Sequence, residues 1–211
     1  MSAQMANNHV EASPASIRSN GPFSPIAERT MPQVVDQVAR VQPEAIWASY
    51  ALSDNTAHFR DVTFRELAHC VNHVAWWVES LIGRSDKFET LAYMGVSDIR
   101  YGFMLLASIK CGYKLMLNSV RNSDSGNLSL LEETVCDKFF CSTEFAGGIR
   151  NLQKKKPDLQ VFVIPTFEEM LGGVDKTFPY NKPWLESHED PILICHTSGS
   201  TGIDISSLLR L

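Results

Sequence analysis

The chain has 211 residues, 44% of them hydrophobic and 20% charged, and 24 acidic against 19 basic side chains leave a net charge of −5. That is the balance of one globular domain of ordinary size, or of a large piece of a bigger one. It argues against a nucleic-acid binder, because no basic run exceeds Lys154-Lys155-Lys156 and no aromatic–basic interleaving is present. That lysine run, just before Pro157, reads as the cap of a helix C-terminus. The longest apolar stretch, near Phe103–Ile109, is far too short to span a bilayer, so no membrane partner is expected. The N-terminus lacks the apolar core of a signal peptide. Cys70, Cys111, Cys136, Cys141 and Cys195 are odd in number and have no C-x-x-C spacing, which points to reduced, mostly buried thiols in a cytoplasmic protein.

In chain order, residues 1–25 are rich in Ser, Ala, Asn and Pro and are expected to form a disordered tail. A helix is predicted after Thr30, ending before Pro43. Ile46–Tyr50 and Ala57–Val62 read as short strands around the polar turn Ser53-Asp54-Asn55. Thr63-Phe-Arg-Glu66 is a capping box, and the helix it opens carries Leu67, Val71, Val74, Val78 and Leu81 as one apolar stripe before Gly83 stops it. Thr90–Met94 is a strand. Ser97 is expected to cap a helix through Lys110, ended by Gly112, and Tyr113–Leu117 is the next strand. A helix from about Leu128 to Val135, a strand at Lys138–Cys141, and a helix capped by Thr143 and running to about Lys155 follow. Leu159–Ile164 is a strand and Phe167–Leu171 a short helix. A loop with Pro179, Pro183 and Pro191 then leads to a buried strand at Ile192–His196.

Strand–helix alternation with apolar strands predicts an α/β fold, with a mostly parallel sheet flanked by helices. Ligands bind in such sheets beyond the C-terminal ends of the strands. There the strand 192–196 runs into Thr197-Ser198-Gly199-Ser200-Thr201-Gly202. Hydroxyls and closely approachable glycine backbone are suited to a phosphate chain. The segment is not a Walker A loop, because no lysine follows a glycine.

Three segments stand in the order found in the adenylate-forming (AMP-binding) superfamily. Val62-Thr-Phe-Arg-Glu-Leu67 resembles its first core motif, L-T-Y-x-E-L. Ser108-Ile-Lys-Cys-Gly-Tyr-Lys-Leu-Met-Leu117 resembles the second, L-K-A-G-x-A-Y-L. Ile194-Cys-His-Thr-Ser-Gly-Ser-Thr-Gly202 resembles the third, Y-T-S-G-S-T-G-x-P-K-G. The wording around them is most similar to the adenylation domains of fungal nonribosomal-peptide-synthetase-like and carboxylic-acid-reductase-like enzymes. After the tail that composition suggests at 1–25, the resemblance implies a partial adenylation domain at 26–202 and a divergent tail at 203–211. It further implies the first half of such a domain's large subdomain, cut short.

The chemistry implied is attack of a small carboxylic acid on the α-phosphate of Mg-ATP, giving acyl-adenylate and pyrophosphate. The acyl group then passes to a phosphopantetheine thiol on a downstream carrier. Thr197, Ser198, Gly199, Ser200, Thr201 and Gly202 would hold the β- and γ-phosphates. The departure comes after Gly202, where Asp204 and Ile205 occupy the family's Pro and Lys positions. A carboxylate near polyphosphate repels it. No residue matches the family's Mg-binding acid, ribose-binding Asp or catalytic lid Lys, so no catalytic or metal residue is assigned. The expectation is an amino-terminal fragment of an ATP-dependent carboxylate-activating enzyme, inactive as this chain; the alternative is a non-catalytic remnant or interaction fragment. A sheet stopped at 196 is expected to leave an apolar edge.

Glu66, His69 and His73 share one helix face, a spacing that fits a solvated face better than a metal site. Trp76 and Trp77 are expected to pack between layers. His196 stands beside the loop, either touching substrate or nucleotide or satisfied by backbone.

Overall fold

A computed structural model describes residues 28–52, 58–199 and 202–210, with the strand path alone for 197–199 and 202–210. The expected tail at 1–25 and the turn Ser53-Asp54-Asn55 lie outside the described residues. Helix α1 (Met31–Val41) opens on a Thr30–Gln33 capping box. Strands β1 (Ile46–Ala51) and β2 (Phe59–Thr63) pair antiparallel as a separate ribbon. Helix α2 (Phe64–Ile82) follows directly, because Thr63 Oγ1 accepts from the Glu66 N–H at 3.2 Å while Glu66 Oε2 accepts from the Thr63 N–H at 3.0 Å.

The alternating part then runs β3 (Thr90–Met94), α3 (Arg100–Cys111), β4 (Lys114–Leu117), α4 (Asp124–Glu133), β5 (Lys138–Cys141), α5 (Ala146–Lys155) and β6 (Gln160–Val163). Two short helices, α6 (Phe167–Leu171) and α7 (Trp184–Ser187), precede β7 (Pro191–Gly199) and β8 (Gly202–Arg210). The sheet order is β6-β5-β3-β4-β7-β8. Its first five strands are parallel, and β8 returns antiparallel along β7.

Side chains alternate across this sheet, so each strand feeds two cores. Leu91, Tyr93, Leu115 and Phe140 face α2 and α3; Ala92, Met94, Met116, Phe139, Cys141 and Ile194 face α4 and α5. Covering both faces is why the strands read as continuous apolar runs.

The structure corrects several boundaries. Ser97 does not cap α3. That helix starts at Arg100, whose N–H is taken by Asp98 Oδ1 at 2.9 Å while Asp98 Oδ2 holds its guanidinium. A carboxylate that binds both N–H and side chain outcompetes a hydroxyl one residue earlier. Helix α4 starts four positions before Leu128, because Ser123 Oγ accepts from the Gly126 N–H at 3.1 Å. Thr143 begins a 3-10 turn whose cap is Ser142, and α5 proper starts at Ala146. The proline loop holds α7, with Pro183 as its N-cap. The edge of β7, expected to stand open, is paired by β8 from Pro191 to Gly199.

The helical layer is pinned by one buried cation. Lys110 of α3 has a fully buried side chain, and its Nζ lies 2.8 Å from both carboxylate oxygens of Asp36 on α1 and 2.8 Å from Asn72 Oδ1 on α2. Asn72 Oδ1 also accepts from the Phe178 N–H at 3.2 Å. Burial lowers the Lys110 pKa, and Asp36 opposes that shift. Two residues later Gly112 ends α3 at φ 81°, with a Cβ position only 2.0 Å from the Ser85 carbonyl oxygen.

Two outcomes follow. Asp36→Ala leaves the ammonium without its carboxylate and should cost about 2–3 kcal/mol in denaturant unfolding; Lys110→Met with Asp36→Leu should recover most of that loss. Gly112→Ala combines a left-handed backbone with a backbone clash and should cost more than ~2 kcal/mol, read as a lower denaturation midpoint at unchanged slope.

Candidate functional site

Five parallel strands point the same way, so the segments after Met94, Leu117, Cys141, Val163 and His196 gather at one edge of the sheet. The β3–α3 segment is rigid there. Tyr101 Oη accepts from the Gly95 N–H at 3.2 Å and donates to its carbonyl at 3.1 Å, and the Arg100–Asp98 pair closes the turn.

Beside it, the β4–α4 segment is organised by three asparagines. Asn118 Nδ2 donates to Asn127 Oδ1 at 3.1 Å, and Asn122 Nδ2 donates to the same oxygen at 3.2 Å. Asn118 and Asn127 are buried. Because β4 lies next to β7, this cluster reaches the end of β7, where Asn122 Nδ2 lies 3.4 Å from His196 Nε2. Tyr93 Oη, Asn118 Oδ1 and His196 Nδ1 are buried with no partner among the described residues; Tyr93 is the last residue but one of β3, Asn118 follows β4, and His196 lies within β7 just before Thr197. Buried polar atoms are usually paired; Thr30 Oγ1, Arg60 Nη1, His69 Nε2 and Ser108 Oγ, away from this edge, likewise lack a partner among the described residues. A cavity of about 230 Å³, lined by Met94, Asn122, Asp124, Asn127 and Glu144 among others, opens at this edge.

The phosphate segment itself is partly in view. Thr197, Ser198 and Gly199 continue β7, and Gly202 opens β8; Ser200 and Thr201 lie outside the described residues. The register pairs Thr197 with Asp204, Ser198 with Ile203 and Gly199 with Gly202. The segment is thus a hairpin around residues 200–201, where the sequence predicts a loop over 197–202. The residues after Gly202 are apolar and β-branched enough to add a strand.

Other candidates resolve into structure. Glu66, His69 and His73 are half-buried, not the solvated face their spacing suggested: Glu66 is used by Arg60 and by the α2 cap, and His69 Nδ1 lies 3.6 Å from Asp175. Among the described residues no group of three or more His, Cys, Asp or Glu is placed to hold a metal. Trp76 packs edge-on against Phe178 and donates to the Lys176 carbonyl at 3.1 Å, and Trp77 packs edge-on against Phe140. Burial pushes Cys70 and Cys111 up to about 12 and Cys136 and Cys141 up to about 11, which leaves these four as unreactive thiols. His196 makes its contact to a side chain, not to backbone. The asparagine cluster was missed in the sequence; the only signal for it was the density of Asn and Ser over residues 118–127.

No protein-family model matches the chain. It is 33% identical over 189 residues to the isocyanide synthase–NRPS hybrid crmA of Aspergillus fumigatus, covering 88% of this chain and 12% of that protein. It is 28% identical over 181 residues to a carboxylic acid reductase of Neurospora crassa, covering 84% of this chain and 17% of that one. The chain thus spans less than a fifth of either curated relative. Among solved structures, its fold matches the o-succinylbenzoate coenzyme A synthetase MenE of Bacillus subtilis in complex with AMP, with a TM-score of 0.61 and 19% identity, over 83% of this chain and 40% of that one. The same enzyme with ATP and magnesium ion matches at a TM-score of 0.60 and 16% identity, over 83% of this chain and 42% of that one. At that identity the likeness shows the fold alone.

His73 yields a pH-dependent outcome. Burial, and then the neighbouring His69, lower its pKa below the ordinary histidine value. The unfolded chain therefore binds the proton more tightly, and stability falls as pH drops through the ordinary histidine range. The thermal midpoint should fall from about pH 7.5 to about pH 5.5, and His73→Asn should show a smaller fall over the same range.

Proposed function

This chain belongs to the adenylate-forming superfamily, as an amino-terminal portion of its fold, and on that premise we propose that it supplies the phosphate-holding edge of an ATP-dependent carboxylate-activating reaction. The observation that carries the reading is the position of the third-motif segment on β7, beside β4 in the parallel sheet and next to the Asn122–His196 contact. Small hydroxyl and glycine residues at 197–202 suit the polyphosphate of ATP. Magnesium would reach the site with the nucleotide, and we assign none of the described residues to it. When bound, ATP supplies the electrophilic α-phosphate and pyrophosphate as leaving group. The chain's own share is to hold anionic oxygens at the sheet edge. The substrate is a small carboxylic acid. The setting is a cytoplasmic protein of secondary metabolism that passes its acyl group to a carrier-bound phosphopantetheine, as an enzyme related to the synthetase–NRPS and reductase relatives.

A second reading, a non-catalytic remnant or interaction fragment, is favoured by the register itself. Asp204 stands opposite Thr197, and Ile205 replaces the family's lysine, so the segment is closed by β8 and lacks its cation. The two readings separate by experiment. Carboxylate-dependent ATP–pyrophosphate exchange with the 211-residue chain alone should stay at background over a panel of aromatic, aliphatic and keto acids; turnover with any of them would overturn the inactivity of this portion. The double substitution Asp204→Pro and Ile205→Lys removes one negative charge and adds one positive charge, and the proline also breaks the ladder opposite Thr197. It should strengthen pyrophosphate binding several-fold, on the order of 1 kcal/mol, and more at low salt. Titration calorimetry at two ionic strengths reads this. Unchanged binding would favour the remnant.

A further inference from the structure

Strand β6 stands at an edge of the sheet with half of its backbone unused. Among the described residues it pairs with β5 alone, in parallel register from Lys138↔Gln160 to Cys141↔Val163. Backbone groups alternate sides along a strand. The Gln160 N–H donates to the Asp137 carbonyl at 2.8 Å, and the Ile164 N–H donates to the Cys141 carbonyl at 2.9 Å. Gln160, Phe162 and Ile164 therefore turn their N–H and C=O groups to β5. Val161 and Val163 turn theirs outward, where no described residue takes them. Edge strands are ordinarily blunted by charge, proline, a bulge or shortness. This one is short, but Gln160-Val161-Phe162-Val163 carries no charge and no proline, and it pairs without a register shift. Its three apolar side chains are half-exposed. Phe162 stacks on Phe140 with centroids 5.0 Å apart, and Val161 and Val163 pack against the other core, so the strand is fixed in its outward presentation.

We propose that β6 is the seam of a two-fold dimer, in which it pairs antiparallel with β6 of a second copy about Phe162. In that register the N–H and C=O of Val161 meet the C=O and N–H of Val163 in the other copy, and the two Phe162 residues face each other across the axis. A two-fold interface must be self-complementary. Two outward residues placed symmetrically about Phe162 meet that condition in the antiparallel sense. Charge selects the same orientation. Lys154, Lys155 and Lys156 precede β6, and Glu168 and Glu169 follow it. Antiparallel pairing sets the basic end of one copy toward the acidic end of the other, whereas parallel pairing would set like charges together. Lys155 and Lys156 already pair with Asp124 and Asp158, so charge sets orientation more than strength. A seam this short makes the dimer weak and concentration-dependent.

Sedimentation velocity of the full 211-residue chain over a concentration series should show a reversible monomer–dimer equilibrium. Val161→Pro deletes an outward N–H and spares the donors that serve β5; it should weaken the dimer about 10-fold or more. Val161→Ala gives up the same side-chain packing but keeps the N–H, and should stay within about 3-fold of the wild-type affinity. Glu168→Lys should weaken the dimer about 3-fold at low salt, and adding Lys156→Glu should recover most of that loss. Residue-level amide exchange reads the register itself. Val161 and Val163 should exchange quickly in dilute solution and slow down as concentration rises, with Gln160 and Phe162 slow throughout. This measurement needs only the wild-type chain and decides alone if Val161→Pro does not fold. A monomer at every concentration, equal dimer affinity in Val161→Pro and Val161→Ala, or Val161 protection that does not rise with concentration overturns the inference. Oligomers that grow past the dimer also overturn it, because a two-fold seam closes on itself.

Discussion

The buried ammonium of Lys110 is the contact on which the helical layer depends. Taking a charge out of water is costly, and the cost is offset only if every proton of the group finds an oxygen. Here the oxygens come from two other helices: both carboxylate oxygens of Asp36 on α1 and the amide oxygen of Asn72 on α2. That amide oxygen also takes the Phe178 N–H, so one polar knot ties α1, α2, α3 and the segment before α7. The knot sits where α3 must end and β4 begin. Gly112 makes the turn, and the Ser85 N–H closes it on the Cys111 carbonyl at 2.9 Å. The second family-like motif is thus a structural device: its lysine anchors the helices and its glycine starts the strand.

From that anchor the sheet edge follows. With α2 and α3 on one face and α4 and α5 on the other, β3 is buried along its length, and Leu115, Met116, Ile192 and Ile194 of β4 and β7 are buried with it. The asparagine cluster is satisfied internally except at Asn118 Oδ1, and it extends to His196 across the β4–β7 pairing.

The segment 197–202 shows how composition and context can disagree. Its residues suit a phosphate, yet β8 pairs with its flanks, and an aspartate stands opposite its first threonine. The same backbone N–H groups cannot serve a strand ladder and an anion at once. The charge and the pairing both depend on residues 203–210, beyond the motif.

Much of the fold was legible in the chain alone. The capping box at Thr63–Glu66, the apolar stripe of α2 from Leu67 to Val78, strand β3 at Thr90–Met94, β5 at Lys138–Cys141 and α6 at Phe167–Leu171 stand where periodicity and capping chemistry place them, whereas Leu81, expected to end that stripe, is exposed. These are local signals, carried by residues a few positions apart, and local geometry suffices to read them. The three ordered motifs likewise pointed to the family. Tertiary structure decided what depends on distant partners. Lys110 meets Asp36 across 74 positions, Asn72 meets Phe178 across 106, and Asn122 meets His196 across 74. It also decided that Asp98, not Ser97, starts α3, and that β7 gains an antiparallel neighbour. No spacing rule reaches such pairs, because the sheet order that brings them together is set by the packing of both faces at once.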